Sequence, residues 1–153
     1  MDFEKVDFIE KAFNIALKAH EGQIDKGRFP YIFHPIWVAL HCETEKQKVV
    51  ALLHDTIEDS IYSINDLRRD GFSDEVIDAV EAITRFPDEE YMTYIKRCAK
   101  NKIAKKVKIL DLTHNMDLSR IQNPCIKDKE RVEKYAIAKN YLDRVNINIG
   151  RRR

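Results

Sequence analysis

The segment of residues 49–59 constrains the fold of this chain most, because an apolar run leads directly into a cluster of polar side chains. His54, Asp55, Glu58 and Asp59 follow the apolar run within six residues. If the segment is one helix, residues four positions apart lie on the same face. The four side chains then share one face, and the apolar residues form the opposite face. We therefore predict a helix with one buried side and one side dense in potential ligands.

Carboxylates at this spacing repel one another, so the cluster requires a positive partner. A bound cation would supply it, since imidazole and carboxylate are common ligands of divalent metals. The alternative is an exposed acidic helix end that contains a histidine by chance. The position of the cluster directly behind a core segment favours a functional site.

Composition indicates a single all-α domain. The chain has 153 residues, of which 44% are hydrophobic and 35% charged, and only four glycines and four prolines. A net charge of +1 and the lack of an apolar run of about 18 residues predict neither nucleic-acid binding nor membrane insertion. Three widely spaced cysteines and an N-terminus without a signal-peptide pattern predict a cytoplasmic protein. The oligomeric state stays open.

Periodicity and capping signals predict about seven or eight helices. Thr44 with Gln47 and Ser63 with Asp66 have the spacing of capping boxes, and Asp88 is a candidate cap for the helix after it. The predicted helices are Val6 to His20, Pro35 to about Glu43, Thr44 to Asp59, Ser63 to Gly71, one that Ser73 caps, Glu89 to Ala99, Lys102 to Leu118, and Asp128 to about Val145.

Two further segments carry candidate ligands. Pro35 suits the start of a helix, which places His34 at a helix N-terminus with a restricted ring direction. Asp111 interrupts the apolar face of its helix, and Asn115 lies one turn further on the same face. An aspartate that faces a core needs a partner, either a salt bridge or a metal.

Four motifs then occur in a fixed order: Tyr31-Ile32-x-His34-Pro35, His54-Asp55-x-x-Glu58-Asp59, Asp111-x-x-His114-Asn115-Met116 and Arg131-Val132-x-x-Tyr135. This ordered set resembles the HD-domain phosphohydrolases, specifically the RelA/SpoT-type guanosine tetraphosphate hydrolases, which include small single-domain forms. The resemblance extends from about Ala12 to Leu142. It implies a compact helical bundle over residues 1–148, followed by a basic tail at 149–153.

The resemblance also implies roles for individual residues. One divalent metal, typically Mn²⁺, would be bound by His34, His54, Asp55 and Asp111. Glu58 and Asp59 would position and activate the water that removes the 3′-diphosphate of the nucleotide. Lys26, Asn115 and Tyr135 match positions that hold the substrate.

The chain departs from the family pattern at two positions that are usually basic, where it has Asp25 and Asp117. We expect Arg28, two residues after Lys26, to replace the missing cation at the phosphates. The leading prediction is a metal-dependent nucleotide phosphohydrolase. The alternatives are a hydrolase of another phosphate ester, such as a nucleoside monophosphate or a dinucleotide phosphate, a nucleotide-binding module without turnover, and a helical scaffold with an acidic surface.

Overall fold

Helices supply nearly all the regular structure in the computed structural model, which describes residues 7–150 and, within the last helix, side chains as far as residue 145. The α-helices of this range are α1 (Phe8–Ala19), α2 (Phe33–Leu40), α3 (Glu45–Leu53), α4 (Thr56–Asp59), α5 (Ile64–Arg69), α6 (Asp74–Ile83), α7 (Tyr91–Ala99), α8 (Lys102–Asn115) and α9 (Ile126–Gly150). A 3₁₀ turn (Leu118–Arg120) precedes α9, and an isolated bridge joins Ile24 to Pro30. The predicted all-α class is confirmed. Most of the predicted basic tail lies outside the described residues.

Local capping explains where several helices begin. The hydroxyl of Thr44 accepts the backbone N–H of Gln47 at 3.1 Å, and the Gln47 side chain bonds back to the cap, as the sequence predicts. The predicted cap at Asp88 is wrong. Asp88 lies in a left-handed turn at φ +64°, and Glu90 caps α7 instead by accepting two backbone N–H groups.

Helix α3 lies at the centre of the fold, where it packs against α1, α2, α6 and α8. Its last five residues, 49–53, are all buried. Burying a leucine such as Leu53 contributes about 1.5–3 kcal/mol relative to leaving it exposed. The end of α3 is therefore held firmly, and the polar residues that follow it have a defined position.

The predicted continuous helix is interrupted directly after Leu53. The ring of His54 donates to the carbonyl of Ala51 at 2.5 Å, and the hydroxyl of Thr56 donates to the carbonyl of Leu53 at 2.7 Å. These side chains occupy acceptors that a continuing helix would use for its own backbone bonds. His54 and Asp55 consequently form a turn between α3 and α4, which accounts for one helix more than the upper predicted number.

Within residues 7–150, no helix combines the length and the apolar character that a bilayer crossing requires.

Candidate metal centre and substrate cleft

Four side chains from three parts of the chain meet beside the end of α3. His34 comes from α2, His54 and Asp55 from the turn before α4, and Asp111 from α8. One potential ligand atom from each lies within 4.8 Å of all the others. His34, His54 and Asp111 are almost completely buried. The structure thus brings together the four residues that the sequence predicts as metal ligands.

The turn geometry fixes the ring of His54. Its Nδ1 donates to the carbonyl of Ala51, so a neutral ring carries no proton on Nε2. That Nε2 lies 3.1 Å from Oδ2 of Asp55 and 3.3 Å from Oδ1 of Asp111. A lone pair would thus face two carboxylates, an arrangement that a cation or a proton must relieve.

The ring of His34 is held by a second histidine, His114. Nδ1 of His34 lies 2.7 Å from Nδ1 of His114, and the two rings stack with centroids 5.0 Å apart. His114 stacks in turn with Trp37 at 4.3 Å. Burial lowers the pKa of His114 to about 4, and the neighbouring His34 adds to the effect. A neutral His114 can accept the Nδ1 proton of His34 and leave Nε2 of His34 directed at the carboxylates.

Asp111 has the partners that its buried position demands. Lys108 contacts Oδ2 at 2.7 Å, while Oδ1 accepts from Asn115 at 3.0 Å and lies 2.8 Å from Nε2 of His34. Burial opposes ionisation of Asp111, but the Lys108 ammonium and the two histidines together outweigh it and hold the pKa of the carboxyl well below its usual range. Both the salt bridge and the ligand cluster considered from sequence are therefore compatible with the observed contacts.

Asp55 is anchored by Tyr31, whose hydroxyl donates to Oδ2 at 2.6 Å. Burial opposes its charge, but His54 lowers the pKa of Asp55 below its ordinary value. Burial likewise disfavours the imidazolium of His54, yet the Asp55 and Asp111 carboxylates raise the pKa of His54 well above its ordinary value. A proton on His54 thus offsets part of the negative charge of the two carboxylates.

The donor set fits a divalent metal. Two carboxylates and two imidazole nitrogens converge, and only one cation, Lys108, contacts them at hydrogen-bond distance among the described residues. This N₂O₂ combination suits transition metals such as zinc, iron or manganese. The residues present could therefore hold one metal ion.

Glu58 and Asp59 do not share the single face that the uninterrupted helix implied. Oε1 of Glu58 accepts the backbone N–H of Arg85 at 2.6 Å, beside a groove of about 830 Å³. Oδ2 of Asp59 instead accepts from the side chain of Gln23 at 3.3 Å. Partial burial, assisted by the charge of Asp55, raises the pKa of each carboxyl above its ordinary value. The two candidate bases are thus held by different parts of the chain.

A cleft of about 310 Å³ opens beside His34. Three residues predicted to bind substrate, Lys26, Asn115 and Tyr135, line it. Arg28 does not. It lies at φ +67° in a tight turn, is exposed, and lines a separate depression next to α1. The positive φ turns the chain between positions 26 and 28, so nearness in sequence to Lys26 does not place Arg28 in the cleft.

Two arginines that carried no predicted role line the cleft instead. Arg120 pairs with Asp25 at 3.2 Å, and Arg131 pairs with Asp128 at 3.0 Å. Arg131 could have been found, because it precedes Tyr135 by one helical turn and so shares its face. No local sequence pattern indicates that Arg120 pairs with Asp25, because 95 positions separate the two residues.

The chain is similar in sequence to several known proteins. No protein-family model matches the chain. It is 31% identical over 153 residues to a GTP pyrophosphokinase of Streptomyces coelicolor, covering 92% of this chain and 18% of the relative. It is 30% identical over 130 residues to the bifunctional (p)ppGpp synthase/hydrolase SpoT of Escherichia coli K12, covering 74% of this chain and 18% of the relative.

A guanosine-3′,5′-bis(diphosphate) 3′-pyrophosphohydrolase of Haemophilus influenzae is 33% identical over 118 residues, which cover 67% of this chain and 17% of that protein. The chain therefore spans less than a fifth of the length of these relatives. A solved structure described as a metazoan SpoT orthologue that hydrolyses ppGpp superposes with a TM-score of 0.70 at 22% identity, covering 98% of this chain and 99% of the other. The similarity in sequence and in fold confirms that this chain resembles the RelA/SpoT-type HD-domain hydrolases.

Proposed function

We propose that this chain is a metal-dependent phosphohydrolase that acts on a nucleotide, with guanosine tetraphosphate as the first candidate substrate and its 3′-diphosphate as the leaving group. The observation that carries the proposal is the convergence of His34, His54, Asp55 and Asp111 within 4.8 Å beside a cleft. The names of the relatives add support, since two of the three relatives above are named as hydrolases of this nucleotide or as bifunctional with that activity.

The four converging residues would hold one divalent metal, for which Mn²⁺ is our first choice. When bound, such an ion supplies Lewis-acid activation of phosphate and of water. The chain's own contribution is to fix the ligand atoms. Ala51 and His114 orient the two imidazoles, and Tyr31 and Lys108 orient the two carboxylates.

Glu58 and Asp59 are the candidate acceptors of the proton of the attacking water. Their raised pKa values move them toward the range in which a carboxylate serves as a general base near neutral pH. Lys26, Asn115 and Tyr135 would contact the nucleotide from the wall of the cleft. Because Arg28 lies in a different depression, it has no role at the phosphates in this proposal.

We further propose that residues 1–148 form one hydrolase domain that works in the cytoplasm. Cys42 and Cys98 are buried as free thiols, and burial raises the pKa of Cys98 to about 12. Unpaired and unreactive thiols suit a reducing compartment.

A second candidate is the hydrolysis of a simpler phosphate ester. Each cation that lines the cleft has a carboxylate partner: Lys26 and Arg131 share Asp128, and Arg120 pairs with Asp25. Paired cations leave little net positive charge for a substrate with several phosphates. This feature favours a nucleotide with fewer charges.

The deciding experiment is a metal analysis of the purified protein followed by a phosphate-release screen. The screen compares guanosine tetraphosphate, nucleoside monophosphates and dinucleotide phosphates, each with Mn²⁺ and with a chelator. We expect metal-dependent release of diphosphate from the tetraphosphate. Release from monophosphates alone would establish the second candidate, and nucleotide binding without release would indicate a module that only binds.

A further inference from the structure

Arg120 joins the two walls of the cleft. Its Nη2 donates to Oδ2 of Asp25 at 3.2 Å, and its Nη1 donates to the backbone carbonyl of His114 at 3.1 Å. Asp25 belongs to the loop before α2, whereas His114 lies in the last turn of α8. Side-chain exposure is 26% for Arg120 and 9% for Asp25, so the pair is largely shielded from water.

The loop before α2 also touches the 3₁₀ turn that carries Arg120 through its backbone. A side chain at Gly27 would place its Cβ 2.5 Å from the carbonyl oxygen of Arg120, which is closer than a Cβ atom approaches a non-bonded neighbour. The glycine therefore allows the loop to rest directly on the 3₁₀ turn. This contact sets the distance between Asp25 and Arg120 independently of their charges.

The ion pair leaves Arg120 with capacity for a ligand. A guanidinium has five N–H donors, and the contacts to Asp25 and His114 use two nitrogens. Asp25 in turn is held by the backbone N–H of Phe29, which donates to Oδ1 at 2.9 Å. The carboxylate is thus fixed by its own loop and can direct the planar fork of the arginine.

Arg120 differs from the other two cations of the cleft because it has a carboxylate partner of its own. Lys26 and Arg131 share a single acid, Asp128, at 3.8 and 3.0 Å. Lys26 is also 62% exposed at its side chain, so water screens it strongly. Arg131 is shielded to a similar degree, with 20% side-chain exposure, but it shares its acid with Lys26. A shielded guanidinium that a carboxylate of its own holds in place is well suited to bind a phosphate group through two parallel hydrogen bonds.

We propose that Arg120 is a specificity-determining residue that binds a second phosphate group of the nucleotide, distinct from the one at the metal centre, and that Asp25 is its positioning residue. This inference rests on the proposed function. Arg120 then supplies the positive charge that positions 25 and 117 lack. Asp25 contributes to recognition by orienting Arg120.

The test compares two substrates that differ only in that second group: guanosine tetraphosphate and guanosine 3′-diphosphate. For Arg120→Ala we expect KM for the tetraphosphate to rise about tenfold or more, which is the effect of losing roughly 1.4 kcal/mol of binding. The kcat and the KM for guanosine 3′-diphosphate should stay within about twofold of the native values. Arg69→Ala is the matched control, because it removes an exposed arginine that also pairs with an aspartate, Asp66, away from the cleft.

A charge exchange separates recognition from simple structural support. In the double variant Asp25→Arg/Arg120→Asp, the pair is retained with its direction reversed, so KM for the tetraphosphate should recover part of the loss. Arg120→Lys should retain the charge but lose the fork, and give an intermediate KM. An equal rise in KM for both substrates, or no rise for either, would overturn the inference.

Calorimetry of guanosine tetraphosphate binding to the native protein and to Arg120→Ala, with a chelator present to stop turnover, keeps this result separate from the proposed function. If the tetraphosphate binds without being hydrolysed by the native protein, and Arg120→Ala weakens that binding, the inference stands while the proposed reaction fails. If the native protein hydrolyses the tetraphosphate and Arg120→Ala changes nothing, the reaction stands and the inference fails. Absence of both binding and turnover would overturn both.

Discussion

Nζ of Lys108 lies 2.7 Å from Oδ2 of Asp111, while the other oxygen of the same carboxylate faces His34 and His54. One aspartate thus links a buried ammonium to the candidate metal centre. Burial disfavours the charge of Lys108, but Asp111 raises the pKa of the ammonium well above its usual value. The lysine is therefore charged at neutral pH, and it offsets part of the negative charge of the centre.

Lys108→Met should destabilise the metal-free protein by about 3–5 kcal/mol, because it leaves a buried carboxylate without its partner. A divalent ion should restore part of the loss by neutralising the same carboxylate. The measurement is urea unfolding with chelator and with Mn²⁺, and the exposed Lys100→Met serves as control. Equal destabilisation under both conditions would show that Lys108 has no share in the charge balance of the metal site.

Asp55→Ala should abolish metal binding and reduce turnover to background while the protein stays helical. The native protein should bind one ion per chain, and chelation should stop the reaction. Elemental analysis and circular dichroism measure metal content and folding in parallel. Asp78→Ala, which removes an exposed carboxylate from α6, should leave both unchanged. Full activity of rigorously metal-free native protein would refute this assignment.

Glu58→Gln and Asp59→Asn should separate binding from chemistry. Each substitution removes a base but hardly changes shape, and the amide introduced by Glu58→Gln would still offer an oxygen to the backbone N–H of Arg85. The residue that takes the proton should lose about 100-fold or more in kcat, with metal content and nucleotide affinity retained. Single-turnover rates of the two variants identify that residue. Native rates in both would exclude this pair as the source of general-base catalysis.

The depressed pKa of His114 predicts a pH dependence of stability. The folded value is about 4 and the unfolded value about 6.5, so between these limits the unfolded chain binds more protons at this position than the folded chain. The contribution of His114 to stability is therefore complete above about pH 6.5 and is lost as the pH falls toward 4. Native protein should lose more stability than His114→Asn between pH 7.5 and 5 in urea unfolding. Parallel losses in the two proteins would contradict the shift.

Much of the fold follows from local signals in the sequence. The capping boxes at Thr44 and Ser63 are local, because the side chain and the N–H group it accepts are three positions apart. The break at His54 could not be predicted from periodicity. The backbone N–H of Asp59 still bonds to the carbonyl of Asp55 at 3.0 Å, so the helical spacing persists on both sides of the turn.

The candidate site was also predicted only in part. The four converging residues were predicted because their motifs occur in a recognisable order. The sequence led us to expect Arg28 at the phosphates, but Arg120 lines the cleft instead, because which arginine reaches the cleft depends on the path of the loop in space. Arg28 is near in sequence, but a left-handed turn carries it to another surface, whereas Gly27 brings the loop onto Arg120.

The stack of His34, His114 and Trp37 gives the protein a built-in optical probe. Trp37 is the single tryptophan of the chain, and its indole stacks on the imidazole that holds His34. An ion that binds Nε2 of His34 should change the hydrogen bond between His34 and His114. The environment of the indole should then change as well, because it stacks on His114. Intrinsic fluorescence excited at the tryptophan band should therefore follow occupancy of the centre in real time, without a label and without turnover.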